Sequence, residues 1–364
     1  MPDPIKVILL FGGKSAEHEV SLLSARSVAS AAPQERISIT PMCIARDGRF
    51  IAPERSARVL AGDDKSVAGD PGFSFEVWSR TADFDIVFPL IHGTGGEDGS
   101  LQGYLEMLGL PYVGSSVTAS AVGMDKVHMK QAFASAKLPM VDYVALYEHE
   151  WKHERERISR NVANALRLPY FVKPANSGSS VGVTKVKNDA DLSKAIEHAL
   201  RFDEKVLIER GVDAREIEVA VLGNDKPEAS VPGEIVAGGE FYDYTDKYVE
   251  TKSQLVIPAK LAADKSAEFR RLAVAAFKAV NAAGFARVDF FLERGTNRLY
   301  LNEINTIPGF TNISMYPKLW EATELKYPRL IERLIQLGIE RSKRKAARGE
   351  TTMKWFDEVK SLVE

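Results

Sequence analysis

The sequence predicts an α/β protein, α+β over its whole length, with an open parallel sheet in its N-terminal part. Three observations carry that reading. Val7 to Phe11 is a continuous apolar run, followed by a glycine turn and a helix-like stretch. Strands buried on both faces of a parallel sheet read this way. The same order recurs where Asp85 to Ile91 ends in His92-Gly93-Thr94-Gly95-Gly96-Glu97-Asp98-Gly99-Ser100, ahead of a helix over 101–108. Repeated strand, glycine loop and helix place ligands at the carboxyl ends of the strands. Later strands come in pairs joined by short polar links, the pattern of antiparallel hairpins.

Length and composition bound the rest. A chain of 364 residues exceeds one typical core, so two or three domains are expected. With 45% hydrophobic and 27% charged residues it is an ordinary globular composition, and a formal charge of -2 argues against nucleic acid or another polyanion as a general partner. The one cysteine, Cys43, lies in an apolar strand-like run and reads as a buried structural thiol. No disulfide framework is possible within the chain, which suits a reducing compartment. Met1 to Val7 has no signal-peptide layout and no apolar run is long enough to span a bilayer. A cytoplasmic location without membrane contact is therefore expected.

Each element follows in order. After the first strand, Gly12-Gly13-Lys14-Ser15 resembles a phosphate loop, but Gly-x-x-x-x-Gly-Lys-Ser/Thr is absent. Ser15 is expected as helix N-cap, and Glu17 and Glu19 suit the positive helix end. Two acids there would repel phosphate and suit an ammonium group; plain dipole complementation is the competing reading of Glu17. Residues 37–44 form a second strand, and 52–80 read as a polar peripheral loop. His92 is either a group that orients a ligand or a capped loop histidine. Its loop lacks the dinucleotide spacing Gly-x-Gly-x-x-Gly.

A domain boundary is expected just before Met124-Asp125-Lys126, which opens a helix running to about Lys137. A strand over 142–147 and a charged helix over 149–167 precede Pro169 to Val183, a strand, a small-residue loop and a second strand. That loop is dense in N–H and hydroxyl donors, which suits covering a phosphate chain, although a flexible hairpin would look the same. Lys173 leaves an apolar strand, where lysine needs a reason to be. A helix over 189–201 and strands over 205–210 and 216–222 follow; Glu216 and Glu218 face either a ligand or solvent. Residues 239–248 are irregular, aromatic and charged, as in a lid or Ω-loop. A helix over 264–283, a hairpin, a loop over 308–314 and a closing helix over 317–340 complete the body. The tail 341–364, with Phe356, Val359 and Leu362 at helical spacing, reads as a docking or oligomer element.

The hairpin carries the most chemistry. With its centre near Thr296, Asp289 lies opposite Glu303 and Arg287 opposite Asn305, all on one face. Asp opposite Glu is unfavourable by itself, and a hard cation reverses that sign. Two carboxylates and an amide oxygen are ligands that Mg²⁺ prefers beside substrate phosphates. An exposed polar face with its charges paired to Lys or Arg is the alternative.

Taken together, these residues resemble the D-alanine–D-alanine ligases of the ATP-grasp superfamily, over essentially residues 5–340. The matching stretches are Phe11 to Ser21, His92 to Gly99, Met124 to Lys126, Lys173 to Val183, Phe241 to Tyr248 and Arg287 to Ser314, in family order. The resemblance implies a three-domain ATP-grasp fold in which two domains grip ATP between antiparallel sheets. It implies an N-terminal domain over 1–122, a central domain over 123–212, a catalytic domain over 213–340 and a tail. It further implies that Lys126, Lys173, Ser180 and, on the lid, Lys247 contact ATP phosphates, with Glu209 and Glu216 at adenine and ribose. Asp289, Glu303 and Asn305 would hold two Mg²⁺, with Mn²⁺ possible in their place. Arg287 and the Gly309 N–H match the oxyanion hole. Glu17 matches the holder of the first D-alanine's ammonium, with Ser179 and Tyr248 as companions. His92 belongs to the substrate end, and Ser314 matches the contact to the second D-alanine's carboxylate. The expected product is D-alanyl-D-alanine for peptidoglycan precursors, and a homodimer is a family implication. D-alanine–D-lactate ligases share the fold but resemble this chain less at Tyr248, where they carry a histidine. Another carboxylate–amine ligase is disfavoured by the Glu17 turn and the Ser314 loop. A non-catalytic sensor module is disfavoured by the presence of Arg287, Asp289 and Glu303.

Overall fold

The structure is a computed structural model that describes residues 3–236 and 254–361. In the N-terminal part run β1 (Ile5–Gly12), α1 (His18–Ala31), β2 (Ile37–Ile44), β3 (Phe50–Ile51), α2 (Pro53–Ala61), α3 (Phe75–Ser79), β4 (Ile86–Pro89) and α4 (Ser100–Met107). The sheet order is β3-β2-β1-β4, with β1 parallel to both β2 and β4. Alternate residues of β1 enter different cores. Val7, Leu9 and Phe11 pack with α1 on one face, while Ile8 and Leu10 pack with Phe75 and Leu105 on the other. That is why the strand reads as an unbroken apolar run.

The expectation of a peripheral loop over 52–80 is corrected by α2 and α3. Pro53 stands at the start of α2 and Gly62 ends it in the left-handed conformation, the usual helix punctuation. Phe75 of α3 stacks on Phe50 at 4.7 Å and is buried. The segment therefore forms one wall of a core. Ser15 is likewise not the helix cap: α1 starts at His18 and Glu17 occupies the cap position. The Ser15 hydroxyl instead donates to the His92 carbonyl at 2.7 Å.

Next come α5 (Val117–Met124), α6 (Lys126–Ser135), β5 (Tyr143–Tyr147), α7 (Glu148–Ala165), β6 (Tyr170–Pro174), β7 (Thr184–Val186), α8 (Leu192–Ala199) and β8 (Lys205–Arg210). The sheet β5-β8-β6-β7 is antiparallel. Its Val172, Val206 and Ile208 pack on Trp151, Val162 and Ile196 from α7 and α8. The opposite face, carrying Lys173 and Glu209, is left for other work.

The third sheet contains β9 (Ala214–Gly223), β10 (Glu228–Ala229), β11 (Gly233–Val236), β12 (Gln254–Val256), β13 (Gly284–Glu293) and β14 (Leu299–Asn305), with α9 (Ala263–Ala279) ahead of β13. Its path is β12-β11-β9-β13-β14, with β10 beside β9. Ile217, Val219, Val288, Phe290 and Ile304 bury one face against α9 and, from α6, Met129 and Phe133. Glu216, Glu218, Arg287 and Asp289 occupy the other face by strand alternation. The closing helix expected over 317–340 is two helices, α10 (Met315–Glu321) and α11 (Tyr327–Ser361). Glu324, left-handed at φ +68°, lies in the break. The tail to residue 361 continues α11 as one helix of 35 residues. Leu362 lies outside the described residues.

Candidate active site

The β13–β14 ladder pairs Arg287 with Asn305 and Asp289 with Glu303. The register does not run unbroken from the turn. Leu292 faces Leu299 and Phe290 faces Leu301, then the ladder shifts and Asp289 faces Glu303. Asn302 is the extra residue, a β-bulge. Without the shift, Glu303 would turn toward the core, because side chains alternate along a strand. With it, Ile304 stays buried while Glu303 and Asn305 remain on the open face.

Three acids line up on that face across adjacent strands: Glu218 of β9, Asp289 of β13 and Glu303 of β14. Arg287 sits among them. Its guanidinium grips both oxygens of Asp289 at 2.7 and 2.6 Å and approaches Glu218 at 2.9 Å. Burial opposes the charge on Arg287, but Asp289 and Glu218 outweigh it and hold its pKa above the ordinary arginine value. Asn305 donates to Asp289 at 3.0 Å, which leaves its amide oxygen facing away from that carboxylate. Among the described residues, no group of three His, Cys, Asp or Glu forms a ready-made metal cage. The donor set of Asp289, Glu303 and Asn305 is nevertheless all hard oxygen. It fits a cation that completes its shell with phosphate oxygens and water.

The facing sheet supplies cations. Lys173 and Glu209 project from the same face of β6 and β8. Glu209 is 3% exposed, with one oxygen 2.5 Å from Lys130 of α6 and the other against Lys173. Burial would raise the Glu209 pKa, yet the two lysines win and hold it at about 2. Glu303 and Glu216 lie close enough to Lys173 to favour its charge, so the charged faces of the two sheets lie near one another. Lys126 opens α6 behind Asp125, whose carboxylate caps the helix by accepting from Val127 and His128. The Lys126 ammonium donates to the Ser177 carbonyl at 2.6 Å. In the same loop Ser179 and Ser180 adopt left-handed backbone at φ +49° and +59°. Serine adopts that conformation at a cost of ~1–3 kcal/mol, a cost common at functional sites.

Ahead of α1, the Ser179 hydroxyl donates to Glu17 Oε1 at 2.5 Å, joining the loop after β6 to the N-terminal part. A Cβ on Gly93 would stand 2.6 Å from Glu17 Oε2, and Gly93 also needs φ +74°. The left-handed backbone is what favours glycine there, since the Glu17 carboxylate could swing away from a Cβ. Gly309 lies beside Ser314, whose Oγ accepts from Thr311 N–H at 3.1 Å. His92 is 3% exposed and its ring bonds to Ile307 and Ser24, so it supports a loop from behind. Lys247 and Tyr248 lie outside the described residues, as does the whole segment 239–248 expected as a lid or Ω-loop. Lys130 and Glu97 went unassigned in the sequence reading. The signal for Lys130 was a lysine amid Val127, Met129 and Phe133 in one amphipathic helix.

Buried lysines at one antiparallel sheet and a row of acids on another are the arrangement expected of the ATP-grasp class of carboxylate–amine ligase. Comparison with known sequences narrows the class. Residues 6–115 match the family described as "D-ala D-ala ligase N-terminus" and residues 132–336 match "D-ala D-ala ligase C-terminus". A D-alanine--D-alanine ligase of Chloroherpeton thalassium is 46% identical, with 92% of this chain and 96% of the relative aligned. One of Halothermothrix orenii is 47% identical, covering 92% and 98%. The solved D-alanine-D-alanine ligase of Coxiella burnetii superposes with a TM-score of 0.81 at 35% identity, covering 99% of both chains. The VanG D-Ala:D-Ser ligase of Enterococcus faecalis gives 0.80 at 32% identity, covering 92% and 99%. The chain belongs to the D-alanine–D-alanine ligase family.

Proposed function

We propose that this chain joins two D-alanine molecules into D-alanyl-D-alanine for peptidoglycan precursors, converting ATP to ADP and phosphate. The observation that carries the reading is the contact between Glu17 and Ser179. It supports the reading because it joins Glu17, proposed to hold an ammonium, to the loop of Ser179 and Ser180, proposed to cover the nucleotide. Glu17 takes the ammonium of the first D-alanine, and that molecule's carboxylate attacks the γ-phosphate of ATP. Lys126, Lys173, Ser180 and, on the lid, Lys247 hold the phosphates; Glu216 and Glu209 lie on the adenosine side. Asp289, Glu303 and Asn305 would hold two divalent ions, Mg²⁺ or Mn²⁺. When bound, the metal neutralises charge on the transferring phosphoryl group.

The amine of the second D-alanine, seated by Ser314, then attacks the acyl carbon of D-alanyl phosphate. Arg287 and the Gly309 N–H stabilise the oxyanion, and the C–O bond to phosphate breaks. Tyr248 assists Glu17 and Ser179. The division at 122 and 212, with a tail from 341, is proposed with this reading, and the three separate sheets support it. A cytoplasmic location and a homodimer are proposed on the resemblance; among the described residues no helix is long and apolar enough to cross a membrane.

The test is phosphate release from the purified protein with ATP and Mg²⁺, with D-alanine alone and then with D-lactate or D-serine, products identified by mass. Release that depends on D-alanine, with D-alanyl-D-alanine dominant, supports the reading. A dominant depsipeptide or D-alanyl-D-serine would overturn the acceptor assignment and leave the activation chemistry standing.

A further inference from the structure

We propose that Glu97 is a positioning residue that, with His92 and Ser24, clamps the loop after β14 and so aims the Gly309 N–H. The proposal rests on the reading above, in which that N–H faces the reacting carbonyl.

The loop is held on both sides of Gly309. Ile307 N–H donates to Glu97 Oε1 at 2.8 Å, and the Ile307 carbonyl lies 2.9 Å from His92 Nδ1. Phe310 N–H donates to Ser24 Oγ at 3.3 Å, and Ser24 Oγ lies 2.9 Å from His92 Nε2. A carbonyl only accepts, so His92 Nδ1 carries the proton and Nε2 accepts from the Ser24 hydroxyl. Burial, which pulls the His92 pKa below the ordinary imidazole value, keeps the ring in this neutral form. These side chains all come from the N-terminal part of the chain, while the loop belongs to the sheet that bears Asp289 and Glu303.

Glu97 has a second task. Its Oε2 accepts from Gly93 N–H at 2.8 Å, and Gly93 is one of the residues lying against Glu17. One carboxylate thereby fixes both the loop behind the ammonium holder and the loop of the oxyanion donor. Accepting from two N–H groups needs two acceptor oxygens, and both carboxyl oxygens keep acceptor capacity whether or not the group carries its proton. Glutamine offers one acceptor and one donor, so it would repel one of the two N–H groups.

The expected consequence is uncoupling. Phosphoryl transfer does not use the Gly309 N–H; attack on the acyl carbon does. If that donor is misplaced, D-alanyl phosphate waits longer. Water then attacks the acyl carbon, the C–O bond to phosphate breaks, and D-alanine and phosphate are released without dipeptide.

The experiment measures ADP and D-alanyl-D-alanine in parallel for wild type and Glu97→Gln, with KM for ATP and a thermal melt. For wild type the ratio of ADP to dipeptide should be one. For Glu97→Gln the dipeptide rate should fall about tenfold to a hundredfold, within the range for a weakened oxyanion donor. The ratio should rise to about two or more, with KM for ATP within about twofold, since phosphoryl transfer keeps its own contacts. If Glu97→Gln lacks a cooperative melt, Ser24→Ala, which releases Phe310, carries the same expectation. A ratio of one in a folded variant, with both products falling together, overturns the clamp alone. No D-alanine-dependent ADP from wild type would overturn the ligase reading and the clamp with it.

Discussion

Asp289 stands opposite Glu303 across the β13–β14 ladder, and the extra residue Asn302 reconciles that pairing with the turn. A bulge relieves the conflict between the turn register and the face on which Glu303 must lie. Deleting Asn302 would let Leu301 lead directly into Glu303 in a regular strand, with Ile304 still inward. The deletion variant is therefore expected to fold, with a melting temperature within about 2 °C of wild type, a shift of order 1 kcal/mol. Inserting one alanine between Ile304 and Asn305 should instead turn Asn305 inward and abolish turnover. A deletion variant that fails to fold, tested by thermal melting, would sink this account of the bulge.

Acid should act through Glu209. Its folded value is held at about 2 by Lys130 and Lys173, against the opposing effect of burial and below an ordinary value of 4.5. A depressed carboxyl adds stability that is present above its unfolded value and is lost as pH falls through the folded one. That window runs from about 4.5 down to about 2. Lys130→Met removes one of the two cations from a site 1% exposed at Lys130. Losing one partner of a buried pair costs ~3–5 kcal/mol. The variant should unfold at lower denaturant at pH 7, and its acid limb should begin at higher pH. An acid limb unchanged from wild type would remove Glu209 from the explanation.

Alkali should act through Glu97, with the opposite sign. Burial first, then the Glu17 charge, raise the Glu97 carboxyl to about 8, against hydrogen bonds from Gly93 and Ile307 and the Arg287 charge. His92, neutral beside it, contributes no opposing cation. An acid with a raised folded value supports the fold fully below its unfolded value, about 4.5, and that support is lost as pH rises through about 8. Wild-type stability should decline across that window more steeply than that of Glu97→Gln. Parallel denaturant titrations from pH 5 to 9 would show it; superimposable slopes would contradict it.

The residues that made the site legible were those whose local pattern names their face. Asp289, Glu303 and Asn305 were placed from strand alternation and a turn centred near Thr296, and the ladder pairs them that way. The turn-proximal register differs by one residue, and Leu299, Leu301 and Ile304, spaced two and then three apart, were the visible trace of the bulge. Glu97 was illegible for a different reason. Its value lies in backbone N–H groups of Gly93 and Ile307, the latter 210 residues away, and no local period reports a backbone partner. The segment 52–80 was misread because its polar composition concealed Phe75, which only the stack on Phe50 reveals. The break before α11 hides similarly, since Glu324 is not a residue expected to adopt φ +68°.

The far end of α11 should be dispensable for folding. Lys345 pairs with Glu106 at 2.8 Å, and Arg341 donates to the Tyr112 carbonyl at 3.1 Å. Beyond Lys345 the described side chains through Asp357 are exposed, with Trp355 55% exposed. A helix whose side chains touch no core draws its stability from propensity and local pairs, which are weak over four turns. Truncation after Lys345 should leave the melting temperature within about 2 °C of wild type, because surface changes stay within ~0.5 kcal/mol. D-alanine-dependent ADP formation should also persist. Truncation after Ile335 should be destructive, because it removes buried Leu337 and the Arg341 anchor on Tyr112. Equal loss of melting temperature in both truncations would mean that the terminal turns carry stability the exposed side chains do not account for.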